Sequence, residues 1–134
     1  MTEPAASRAR AAKPFGLPSA SRVLATREFK RIYAQGSRAR GELLTVVGRR
    51  RRDELVRLGL SVSKDHGPAV RRNKIKRILR EAFRLERPGL PRGWDLVLIP
   101  VVRKQKLRLS AARSEIVRLA RDLAEGKRQP NRPR

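Results

Sequence analysis

Cysteine is absent from the 134-residue chain, which removes disulfide staples and thiolate metal sites and suits a reducing compartment. Large rings are scarce: one Trp, one Tyr and three Phe leave no platform on which many bases could stack in succession. No apolar run approaches the roughly 18 residues of a membrane span. The N-terminal stretch sets Arg8, Arg10 and Lys13 among alanines without the apolar segment of a secretory signal, so a cytoplasmic, membrane-free protein is expected. Acids are few as well, with 12 Asp plus Glu against 35 Lys plus Arg and a formal net charge of +23. Self-repulsion on that scale is tolerable when a polyanion is the normal partner, and nucleic acid is the obvious one.

The acids that are present are scattered through the sequence, Glu42, Asp53, Glu81, Asp95 and Glu125 among them, and none pairs with another on a helix face amid apolar positions. Hydrolysing a phosphodiester in a protein site calls for clustered carboxylates around a metal or a paired general base. His66, the only histidine, sits in a loop marked by Gly67-Pro68 and is expected to be solvated. The expectation is therefore no catalytic residue and no metal site in the protein itself.

What is present in force is the segment VRRNKIKRILREAFRL, Val70 to Leu85. Ile75, Ile78, Leu79, Ala82 and Phe83 recur at spacings of three and four, an apolar stripe about 140° wide on a helix. Asn73, Lys76, Arg77, Arg80 and Arg84 fall together on the opposite side. Lys76, Arg80 and Arg84 follow one another at four-residue spacing, where like charges repel by a few tenths of a kcal/mol per pair. A solvated face normally mixes both signs, yet Glu81 is the only acid in the segment. A polyanion laid along the face would cancel the repulsion.

The flanking chain reads as one domain, residues 21–126, between a basic arm over 1–20, expected to be disordered, and a basic tail over 127–134. Thr26 suits an N-cap, Glu28 the first turn and Gly36 the C′ position of a short helix from Arg27 to Gln35. Phe29, Ile32 and Tyr33 share one side of it. Ile32 is assigned to the core, while Phe29 and Tyr33 are balanced between core packing and an aromatic wall for bases. Glu42 to Gly48 reads as a strand, and Val56, Leu58, Leu60 and Val62 alternate with Arg57, Gly59, Ser61 and Ser63 as a second. The polar face of that second strand could be plain solvated surface or room for a ligand. Trp94 to Val102 reads as a central strand covered on both faces, with pairing ending near Pro100. Ser110 is expected to cap a last helix carrying Ala112, Ile116, Leu119, Ala120 and Leu123, with Gly126 at its end. The order helix, strand, strand, helix, strand, helix makes a two-layer α/β sandwich built on a small sheet.

With these segments in order, the sequence resembles the protein subunit of bacterial ribonuclease P. RVLATREFKRIYAQG is similar to that family's first helix, and LGLSVSKDHGPAVRRNKIKRILREAFR to its strand, loop and signature helix, with Arg72, Asn73, Lys76, Arg77, Arg80 and Glu81 on the motif. GWDLVLIPV is similar to the following strand. Lys74 stands where the family often has Arg, which keeps charge but loses a bidentate fork, and Pro68 where the loop often has Asn. The resemblance implies a mixed sheet with a left-handed βαβ crossover, against the general right-handed rule. It also implies a ribonucleoprotein in which RNA is the catalyst and the 5′ leader of precursor tRNA is removed with the help of Mg²⁺ held mainly by that RNA. Carried over, Arg72, Asn73, Lys74, Lys76, Arg77, Arg80 and Arg84 would contact ribonuclease P RNA. Phe29 and Tyr33, with Thr45 and Val47 opposite, would line the cleft for the leader of precursor tRNA. A monomeric protein paired one to one with the RNA is the implied assembly. Two other classes remain open on composition alone: a ribosomal-type RNA-binding protein without a catalytic RNA partner, and a nuclease in its own right.

Overall fold

The computed structural model describes residues 26–127 and the backbone of 129–130. The arm expected over 1–20 lies outside the described residues, as does most of the 127–134 tail. A first helix, α1 (Thr26–Gln35), leads into a hairpin of β1 (Ser37–Arg40) and β2 (Leu44–Arg50). Then come β3 (Val56–Leu60), the long helix α2 (Ala69–Glu86), β4 (Trp94–Pro100), α3 (Leu109–Ala124) and a two-residue β5 (Gln129–Pro130). The strands form one sheet in the order β3-β4-β2-β1-β5. β4 lies between β2 and β3, antiparallel to β2 from Leu44↔Pro100 to Arg50↔Trp94 and parallel to β3 from Val56↔Trp94 to Leu60↔Leu98. Parallel neighbours need a crossover, and α2 is that crossover.

Strand periodicity sorts the side chains onto two faces. Leu44, Val46, Val56, Leu58, Trp94, Leu96 and Leu98 point to one, where they are buried with Ile75, Leu79, Ala82 and Phe83 of α2 and Ala112, Ile116, Leu119 and Leu123 of α3. Fully burying a side chain of this size contributes about 1.5 to 3 kcal/mol, so this layer carries most of the stability. Val47 and Val97 point to the other face and are buried under Ile32 of α1, with Phe29, Tyr33 and Ile99 packed around them. The sandwich expected from the sequence is thus present, and α1 covers part of the sheet's far side.

Local chemistry explains several boundaries. Gly126 adopts φ +83°, with Lys127 N–H donating to Asp122 O at 2.8 Å and Gly126 N–H to Leu123 O at 3.3 Å, a Schellman end to α3. Gly36 follows α1 for a different reason than a left-handed cap: a Cβ there would collide with the backbone carbonyls of Ile32 and Gly48. Ser110 does not cap α3. The helix begins one residue earlier, and Arg108 occupies the cap position without a side-chain bond. β1 was not foreseen. Its sequence SRAR buries only Ala39, and it is held by pairing with β2 from Ser37↔Gly48 to Arg40↔Thr45.

Candidate nucleic-acid interface

On α2 the buried positions Ile75, Leu79, Ala82 and Phe83 leave Asn73, Arg77 and Arg80 exposed on the outer side, with Lys76 half-buried on one flank and Lys74 exposed on the other. Arg84 and Arg72, both expected contacts, are engaged within the chain. Arg84 forks onto Glu81, Nε to Oε1 at 2.8 Å and Nη2 to Oε2 at 2.7 Å. That bond holds the Glu81 carboxyl below its ordinary pKa and raises Arg84. Arg72 is half-buried and bends back, its Nε donating to Gly67 O at 3.2 Å, so it closes the loop ahead of the helix. Arg71, not singled out from the sequence, reaches across to donate to Arg103 O at 2.9 Å. Pro68 takes the cap position of α2 in an extended conformation, its carbonyl accepting from Arg72 N–H at 3.1 Å.

Phe29 and Tyr33 lie on the opposite face of the sheet from α2. The rings of Phe29 and Tyr33 are 6.3 Å apart and tilted 44°, both half-buried at the margin of the Ile32, Val47 and Val97 cluster. A Cβ on Gly59 would come within 2.9 Å of Phe29 Cζ, so the ring lies over the strand where a side chain is missing. The small polar face of β3 therefore receives Phe29 in part. Thr45 is half-buried on this face. Val47 is only 1% exposed, a correction to its expected place in the cleft wall: it is the floor on which Ile32 rests.

Beside this face lies a charge cluster that the sequence reading missed. Asp95, 2% exposed, accepts from Arg57 Nε at 2.7 Å and Nη2 at 3.1 Å, and from Arg51 Nη1 at 3.0 and 3.2 Å. Glu28 of α1 approaches Arg57 Nη2 at 2.7 Å, and Asp53 takes the remaining fork of Arg51. The Arg51 guanidinium draws the Asp53 carboxyl down to about 2, and Arg51 and Arg57 are both raised by their carboxylate partners. The signal was there: Asp95 is the lone acid in an apolar strand, and a buried carboxylate requires partners.

His66 is also corrected. It is buried, with Nε2 3.2 Å from Pro100 O, and so serves the carbonyl at the end of β4 beyond the β3 ladder. Among the described residues no three His, Asp or Glu side chains gather as a metal site, and no helix is long and apolar enough to cross a membrane.

The family described as Ribonuclease P matches residues 17–124 of the sequence. The chain belongs to the ribonuclease P protein family. The ribonuclease P protein component of Desulfosudis oleivorans is 38% identical over 111 residues, 83% of this chain and 86% of that one. The solved ribonuclease P protein of Thermotoga maritima superposes with a TM-score of 0.67 at 33% identity, covering 75% of this chain and 96% of that one. The Staphylococcus aureus ribonuclease P protein gives 0.67 at 28% identity, over 77% and 94%. As a ribonuclease P protein component, the chain is a subunit of the tRNA-processing ribonucleoprotein enzyme whose other part is ribonuclease P RNA.

Proposed function

We propose that α2 binds ribonuclease P RNA by its outward cations while the face carrying Phe29, Tyr33 and Thr45 holds the single-stranded 5′ leader of precursor tRNA. The observation that carries this reading is the exposure of Asn73, Lys74, Arg77 and Arg80 along one helix where Glu81 is taken up by Arg84. Cations so placed neutralise phosphates and release counterions, which gives affinity without sequence readout. The half-buried rings offer a surface for one or two bases, at about 1 to 3 kcal/mol per stacked base.

On this reading the protein contributes positioning and charge, and hydrolysis belongs to the RNA, which also holds the Mg²⁺. By lowering repulsion between folded RNA and substrate, the protein lets the assembly work at lower bulk Mg²⁺. The complex is one protein to one RNA, in the cytoplasm. Binding of ribonuclease P RNA at several salt concentrations tests the assignment. Arg77→Ala should weaken binding and flatten the plot of log affinity against log salt by about one unit. An unchanged slope would remove Arg77 from the interface.

A further inference from the structure

A hollow of about 320 Å³ opens where the start of α2 meets the end of β4 and the 101–107 segment. Its size falls within the roughly 300 to 1,000 Å³ of small-ligand pockets. Leu43, Ile75, Ile78, Pro100 and Leu107 line its apolar part, and Arg71, Lys74, Arg103 and Lys106 stand around it. It runs on into a second hollow of about 620 Å³ that shares Leu43, Lys74, Lys106 and Leu107 and reaches Arg108 and Ala111. Among the described residues neither hollow has an Asp or Glu in its wall. Val70 and Val101, both bordering the first hollow, are 82% and 41% exposed, and neighbouring Val102 is 51% exposed. The bond from Arg71 to Arg103 O at 2.9 Å and that between His66 and Pro100 O at 3.2 Å hold the two walls together, so the shape is built into the fold.

We infer that this groove receives an unpaired nucleotide of ribonuclease P RNA, its base against the apolar floor and its phosphates on Lys74, Arg103 and Lys106. The inference rests on the RNA-binding reading of α2, with which the groove is continuous through Lys74. Charge selects the occupant. The residues ahead of α1 carry Arg8, Arg10, Lys13 and Arg22 against Glu3, and a second copy of the chain carries +23, so both are repelled by an all-cationic rim. A partner that is flat and apolar at one end and anionic at the other fits floor and rim together. A helical phosphate backbone satisfies the rim alone and would leave the apolar floor and the exposed valines uncovered. The nucleotide must therefore come from a loop, bulge or strand end, where bases are splayed.

The absence of native cysteine makes the test direct. Val101→Cys in the full chain, carrying an azidophenacyl group and assembled with a bacterial ribonuclease P RNA, should photo-cross-link to an unpaired nucleotide. Val101→Asn should weaken RNA binding roughly fivefold with the salt slope unchanged, because no charge is lost. Lys106→Gln should instead flatten the slope by about one unit. Cross-links confined to paired nucleotides, to the chain's own residues 1–25 or to a second copy would overturn the assignment. So would unchanged affinity in Val101→Asn. If Arg77→Ala still weakens binding in the same assay while the azidophenacyl probe on the Val101→Cys chain finds no RNA, the groove fails alone. If the unmodified chain binds no RNA, the α2 reading fails with it.

Discussion

Arg57 and Asp95 face each other across the parallel pair β3 and β4, and the guanidinium closes on both carboxylate oxygens at 2.7 and 3.1 Å. With Arg51 on the same carboxylate and Glu28 on the same guanidinium, one buried acid ties two strands, the segment after β2 and helix α1 together. The face that carries Phe29 thus has its geometry set by charge as well as by packing.

Asp95→Asn should therefore cost stability. It leaves the two arginines, each about a fifth exposed, with a neutral acceptor where they had a charged one. The expected loss is about 2 to 3 kcal/mol, read as a lowered urea midpoint at unchanged slope. A variant as stable as the parent would mean that water satisfies both guanidiniums without the carboxylate.

Glu81→Gln should act in the opposite sense on RNA. It removes the acid that α2 carries on its cationic side and releases Arg84 from a paired geometry of 2.7 to 2.8 Å. Affinity for ribonuclease P RNA should rise modestly, as expected where an exposed ion pair gives way to a contact with phosphate, with a steeper salt dependence. Weaker binding would mean that Glu81 holds Arg84 in the geometry RNA requires.

Phe29→Ala should weaken binding of precursor tRNA by the holoenzyme more than that of mature tRNA, by about 1 to 3 kcal/mol if one base stacks there. Gly59→Ala should reproduce part of the effect, since its Cβ would reach within 2.9 Å of Phe29 Cζ and push the ring from its seat. Equal losses for both substrates would return Phe29 to a purely structural role.

The helix α2 and the strands β3 and β4 were readable because period and burial agree there: Ile75, Leu79, Ala82 and Phe83 on one stripe, and Val56 and Leu58 on one strand face. β1 was not, because SRAR carries no apolar alternation and forms by pairing with β2. Ser110 looked like a cap by residue type, yet α3 starts at Leu109 and Arg108 takes the cap position. His66 and Asp95 failed for a shared reason. Their partners, Pro100 and Arg57, stand 34 and 38 positions away, and they come into reach only when the turn after β3 closes over the end of β4 and β3 pairs with β4. Of the candidate site, the exposed cations were legible from spacing, while the engagement of Arg72 and Arg84 and the burial of Val47 depend on packing that spacing does not encode.

The central claim, that this subunit supplies charge and position to an RNA that does the cutting, is tested most directly by leader cleavage at low Mg²⁺. Ribonuclease P RNA alone, protein alone and the two together are compared on precursor tRNA. The account predicts that the protein raises cleavage by the RNA when Mg²⁺ is limiting and that protein alone leaves the substrate intact. Cleavage by RNA-free protein, or no stimulation at any Mg²⁺ concentration, would contradict it.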